Sequence, residues 1–192
     1  ASDIHGSEYF CRQMLSAYER ERADRLLLLG DILYHGPRND LPKDYAPKKV
    51  IELLNARKRD IICVRGNCDT EVDQMVLDFP IMADYCVISE ENRLIYATHG
   101  HYYNEQNPPP IQQGDILLYG HTHIPRYMEC EGYICMNPGS VSIPKEGSWH
   151  GYMTLKKGIF VWKDLEGHEK MRHPQRELKC RGRFNELGKT DK

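Results

Sequence analysis

No stretch of this 192-residue chain comes near the roughly 20 consecutive apolar residues that a membrane-spanning helix needs. Net charge is nearly absent too. Twenty-six Lys and Arg stand against 28 Asp and Glu, a formal balance of −2, which lacks the basic excess of a general nucleic-acid binder. The seven cysteines are an odd count with no metal-type spacing such as CxxC. They read as reduced thiols of a cytoplasmic protein rather than a disulfide framework. Internal repeats and low-complexity runs are missing. What remains is a chain of the length of one domain with a substantial core.

Hydrophobic spacing predicts a helix from Glu8 to about Ala23, with Phe10, Met14, Ala17 and Tyr18 recurring on one face and Ser7 as N-cap. Leu26–Leu29 is a continuous apolar run, short enough for a buried strand, closed by Gly30-Asp31. After the polar loop HGPRNDLPKDYAP, Pro47 opens a second helix with Val50, Ile51 and Leu54 inward. Ile61–Val64 reads as the next buried strand, ending at Gly66-Asn67-Cys68-Asp69, before a short helix around Val72–Leu77. From Tyr85 onward the texture is strand, with hairpin turns expected at Glu131-Gly132 and Lys157-Gly158. The first half implies parallel strands with crossover helices, and the second a partly antiparallel sheet packed against it. The expected domain covers 1–165. The polar, mildly basic tail 166–192 has no assigned structure.

The informative feature is the kind of residue that closes each apolar run. The chain opens with Asp3-Ile4-His5. The next runs end at Gly30-Asp31, at Gly66-Asn67, at His99-Gly100, and at GHTH with His121 and His123. In an open α/β sheet, ligands gather outside the carboxyl ends of the strands. Five segments therefore bring two Asp, one Asn and four His to one edge. Carboxylate, amide oxygen and imidazole suit borderline divalent metals such as Mn, Fe or Zn. Seven such ligands exceed the needs of one structural ion and suit two metals sharing a carboxylate. Glycines beside the ligands permit sharp turns at the strand ends.

In that order, DIH, GD, GNCD, HG and GHTH resemble the signature of calcineurin-like metallophosphoesterases. The longer phrases GDILYHGPRN, VRGNCDTEVDQM, THGH, YGHTHIP and NPGSVSIPK extend the resemblance from Ala1 to about Lys145. It implies a four-layer αββα sandwich, two mixed β-sheets face to face flanked by helices. It implies one metal ion on Asp3, His5, Asp31 and His123, and another on Asp31, Asn67, His99 and His121, with Asp31 bridging. Mn2+ is the leading candidate, with Zn2+, Fe2+, Ni2+ or Co2+ as alternatives. Asp3 then closes a first strand expected to begin upstream of Ala1. The reaction implied is hydrolysis of a small phosphodiester by a water activated between the two metals. The rival readings are a phosphomonoesterase or nucleotide phosphatase, and a non-catalytic interaction scaffold on the same fold. Related proteins point to a homo-oligomer, a dimer or tetramer.

One residue departs from the superfamily pattern. Many members carry GNH, whose His can act as general acid; here the position is Cys68, a weaker acid that forms no stable cation. That predicts a preference for good leaving groups, against the alternative of a packed thiol with no chemical role. Asn67, Cys68 and Asp31 are thus the expected catalytic residues. His35, Arg38 and Asn39, in the loop after Asp31, are candidate substrate contacts, with Arg38 able to clamp a phosphate oxygen. Asp69 is expected to orient a ligand from behind or to cap the helix after it. Arg65 reads as an ion-pair partner, His101 as lying behind the ligands or at the surface, and Met14 and Met75 as core filler.

Overall fold

The computed structural model describes residues 1–90 and 93–173. Helix α1 (Glu8–Glu21) starts where Ser7 Oγ accepts the Phe10 N–H at 3.2 Å, and it stops at Arg22 in a left-handed conformation. Its inward face is Cys11, Met14, Leu15 and Ala17. Strand β1 (Leu26–Leu28) is followed by α2 (Pro47–Asn55), with Pro at its first turn, and then by β2 (Ile61–Cys63). The strands pair in parallel, Leu26 opposite Ile61, across the expected helical crossover. Both helices bury their apolar faces against Ile4, Leu28, Ile32, Ile61 and Cys63. One turn of helix, α3 (Glu71–Gln74), comes after β2, its N-cap Thr70 closed in a capping box with Asp73.

A five-stranded sheet comes next: β3 (Tyr85–Glu90), β4 (Arg93–Thr98), β5 (Ile116–Leu118), β6 (Pro125–Glu129) and β7 (Ile134–Pro138). Its order is β3-β4-β5-β7-β6, parallel at the centre and antiparallel at both edges. Finally β8 (Gly151–Lys156), β9 (Ile159–Asp164) and β10 (Glu169–His173) form an antiparallel sheet. Backbone bonds join these to the first layer. Leu29 N–H donates to Ala1 O at 2.9 Å, Val141 N–H to Ser2 O at 2.9 Å, and Gly151 N–H to Ser140 O at 3.2 Å.

The two layers meet through Leu29, Val64, Ile95, Ala97, Ile116, Met136, Phe160 and Trp162. Trp162 is fully buried, and its indole N–H is satisfied by Asn137 O at 2.6 Å. This is the expected pair of mixed sheets packed face to face. On the outer face of the second sheet, Leu117, Tyr119 and Cys135 are covered by Ile111 from the long loop after β4. Helix α3 departs from expectation: with a single turn it buries nothing, and Met75 is 84 % exposed rather than core filler. Strand β10 lies beyond the expected end of the domain. It is a charged edge strand, EKMRH, in which Met171 alone reaches the core, so no apolar alternation marks it.

Candidate metal centre

Among the described residues, five of the nine non-glycine positions with positive φ are Asp3, His5, Asp31, His121 and His123. Left-handed backbone at non-glycine residues is costly and persists where the surroundings over-determine it. Here three of the five segments, at Asp3–His5, at Asp31 and at His121–His123, turn through such backbone and throw polar side chains toward one point. Glycines make room. A Cβ on Gly66 would collide with Asp31 Oδ1, and one on Gly120 with Ser2 Oγ.

The imidazoles are fixed from behind. His5 Nδ1 lies 2.7 Å from Tyr34 O, His99 Nδ1 2.7 Å from Leu29 O, and His123 Nδ1 2.6 Å from Ile143 O. A carbonyl only accepts, so each Nδ1 carries the proton and donates it. Each Nε2 then aims at the centre. His5 Nε2 and His123 Nε2 are 3.3 Å apart, with Asp3 Oδ1 at 3.7 and 3.4 Å from them. His99 Nε2 lies 3.2 Å from His121 Nδ1 and 3.0 Å from Asn67 Oδ1. Asp31 Oδ2 stands between the two groups, 3.6 Å from His5 Nε2 and 3.4 Å from His99 Nε2.

The carboxylates divide their oxygens. Asp3 Oδ2 accepts the His121 N–H at 3.2 Å, while its buried Oδ1 has no hydrogen-bond partner. Asp31 Oδ1 accepts the Cys68 N–H at 2.8 Å. A single oxygen of Asp31 thus faces both groups, where two oxygens facing one group each would be the simpler expectation. Asp3, His5, Asp31, His99 and His123 are all buried. Buried carboxylates and facing lone pairs without donors are costly unless a cation stands among them. Oxygen and imidazole donors in this number fit divalent cations of the borderline kind.

Electrostatics of the bare site follow the same geometry. Burial pushes the Asp31 carboxyl up, but His99 beside it outweighs that and holds it below the usual carboxylate range. Burial lowers the His99 imidazole, yet Asp31 and Asp3 raise it to about 9. His121 falls to about 4, through burial and then the neighbouring His99. The Cys68 thiol is pushed up to about 12, by burial and then by Asp31, and it keeps its proton at neutral pH.

A cavity of about 410 Å³ opens on this centre, lined by Arg38, Asn39, Cys68, Thr122 and Lys145 among others. Asn67 and Asp31 line it too. His35 does not: its ring sits edge-on between Tyr34 and Tyr45, and its backbone carbonyl accepts from Asn39 Nδ2 at 2.8 Å. Arg65 is paired with Asp84 at 2.7 Å, and His101 is exposed beside His99. Asp69 is not the cap of α3, which is Thr70; its carboxylate accepts the backbone N–H groups of Asp31, Ile32 and Gly66. Lys145 and Thr122 carry no mark in the sequence that sets them apart as site residues. Both lie inside family phrases, NPGSVSIPK and YGHTHIP, and only the fold brings them to one wall.

The fold and this set of oxygen and imidazole donors are in keeping with a metal-dependent phosphoesterase, and residues 1–157 match the calcineurin-like phosphoesterase superfamily domain. The chain belongs to that superfamily. It is 46% identical over 159 residues to "Phosphodiesterase YfcE" of Escherichia coli K12, an alignment covering 83% of this chain and 86% of that one. The solved structure of YfcE, described as a phosphoesterase from E. coli, superposes with a TM-score of 0.87 at 43% identity, covering 90% of this chain and 96% of that one. A "Probable metallophosphoesterase YsnB" of Bacillus subtilis is 27% identical over 165 residues, 80% of each chain.

Proposed function

We propose that the chain is a metal-dependent phosphodiesterase that cleaves small phosphodiesters at the Asp31-centred edge. The observation that carries this is Asp31 Oδ2 standing within 3.6 Å of two separate imidazole groups, each completed by oxygen donors. Asp3, His5, Asp31 and His123 would hold one divalent cation, and Asp31, Asn67, His99 and His121 the other, Mn2+ being the leading candidate. Together the cations would supply Lewis-acid activation of the phosphoryl group and a water acidic enough to act near neutral pH.

The chain's own residues do the rest. The Nδ1–carbonyl bonds hold three imidazoles in the tautomer that presents Nε2. Arg38 and Lys145 line the cavity with positive charge that suits phosphoryl oxygens. Cys68 keeps a proton beside Asp31 but is a weak acid, which favours substrates whose leaving group needs little protonation. The diester preference is supported by the name of the 46%-identical relative. The monoester reading gains Lys145 as a cation near the site and loses Arg65 to its pair with Asp84. A cytoplasmic setting accords with six free cysteines among the described residues. A homo-oligomer accords with Tyr85 and Val87 exposed on the edge strand β3.

Calorimetric titration of chelator-stripped protein with Mn2+ tests the site. Two equivalents bound by the parent, and loss of tight binding at both in Asp31→Asn, are expected. One equivalent only, or an unchanged Asp31→Asn isotherm, would contradict a shared carboxylate.

A further inference from the structure

Away from the metal centre, the tip of the β6–β7 hairpin carries two thiols in contact. Cys130 Sγ lies 3.1 Å from Cys135 Sγ. The register explains the meeting. Cys130 N–H donates to Tyr133 O at 2.9 Å across the Glu131-Gly132 turn, and Cys135 stands opposite Met128. Cys130 and Cys135 are therefore diagonal neighbours on one face of the hairpin, the face that packs on Leu117 and Tyr119. A disulfide needs its sulfurs at about 2.05 Å, so closure asks for a shift of roughly 1 Å. Gly132, at φ +88, gives the turn the freedom to supply it.

The two thiols differ in access. Cys135 is 1 % exposed, whereas Cys130 is only partly buried. We propose that Cys130 and Cys135 form a redox-active dithiol, oxidised to an intramolecular disulfide by a low-molecular-weight disulfide. The Cys130 thiolate, its proton gone to water, attacks one sulfur of the oxidant. That S–S bond breaks, one small thiolate leaves, and a mixed disulfide forms on Cys130. The Cys135 sulfur then loses its proton and attacks Cys130 Sγ, expelling the second small thiolate. Protein and oxidant exchange two electrons, and two small thiols are released. Burial and then Cys130 push the Cys135 thiol well above its ordinary value, so this second step runs faster as pH rises. Contact between the sulfurs offsets the small thiolate fraction by proximity. Cys135 sits two residues before Asn137, whose Nδ2 donates to Gly120 O at 2.7 Å and Thr122 Oγ1 at 3.1 Å. The hairpin is thus tied directly to the GHTH turn.

The experiment incubates the native, folded protein with oxidised glutathione, quenches it by alkylation, and maps peptides by mass. The expected result is a Cys130–Cys135 linked peptide and a loss of two titratable thiols from the chain's seven. Dithiothreitol should restore both. In Cys135→Ala the reaction should stop at glutathione on Cys130, and in Cys130→Ser no disulfide should form at Cys135. Both variants are checked for native circular dichroism. Linkage of either cysteine to a different partner, or stable glutathionylation of Cys130 in the parent without closure, would overturn the proposal. Complete resistance of the folded parent to oxidation would overturn it as well.

Discussion

Asp69 holds Asp31 by its backbone: the Asp69 Oδ2 accepts the Asp31 N–H at 2.8 Å and the Gly66 N–H at 2.7 Å. Its Oδ1 takes the Ile32 N–H at 2.9 Å. A single buried carboxylate therefore ties the left-handed turn that carries Asp31 to the glycine that makes room for its side chain. Burial raises its pKa and the three N–H groups oppose that shift. Asp69→Asn has only one accepting oxygen for three backbone donors on two sides, so its NH2 must face at least one of them. The expected outcome is a drop of about 10- to 100-fold in Mn2+ affinity, read by calorimetry. An unchanged affinity in a folded variant would show that Asp31 is positioned without it.

Cys68 is expected to limit the range of leaving groups. Its thiol, pushed up to about 12 by burial and then by Asp31, is a poor proton donor at neutral pH. Cys68→His should raise turnover on cyclic nucleotides, whose leaving group is an alkoxide, by about tenfold or more relative to bis-para-nitrophenyl phosphate. Steady-state rates on both substrates give the ratio. No rise, in a variant that keeps its metals and fold, would assign Cys68 to packing alone.

Arg38 and Lys145 line the cavity as cations from different segments of the chain. Replacing either with Ala should raise KM for a diester about tenfold while leaving metal stoichiometry intact. A fall in kcat with KM unchanged would instead place the cation's effect in the transition state. Lys145→Ala without effect on either constant would remove it from the site.

Stability in acid should depend on Asp164, at the turn between β9 and β10. Burial pushes this carboxyl up, but Lys170 and His168 outweigh it and hold it at about 2. A folded pKa below the unfolded one contributes stability above the unfolded value, lost as pH falls through the folded value. Asp164→Asn should therefore lower Tm by about 2–4 °C near neutral pH. The gap should narrow as pH falls from about 4 toward 2. Parallel melts of both proteins across that range check it; a constant gap would exclude the charge as its source.

Much of the candidate site is legible because five of its seven candidate donors come just after an apolar run that folds as a strand: Asp31 after β1, Asn67 after β2, His99 after β4, His121 and His123 after β5. The mixed two-sheet architecture was legible from the change of texture at Tyr85. What stayed hidden was long-range or conformational. Asp and His adopt left-handed backbone more readily than most residues, but residue type alone does not single out Asp3, His5, Asp31, His121 and His123 from the other Asp and His of the chain. The role of Asp69 needs two distant backbone N–H groups, and a local cap was the nearer reading. Lys145 reaches the cavity because its backbone N–H bonds His123 O at 3.2 Å. His35 looked accessible from its loop, yet its neighbours Tyr34 and Tyr45 take its ring. Strand β10 hid behind charge, because an edge strand needs few apolar residues.

The most direct measurement is hydrolysis of bis-para-nitrophenyl phosphate by chelator-stripped protein, with and without added Mn2+, beside para-nitrophenyl phosphate. The site predicts cleavage only with metal, and faster on the diester than on the monoester. Metal-independent cleavage, or no cleavage of either ester by protein carrying two bound metals, would contradict it.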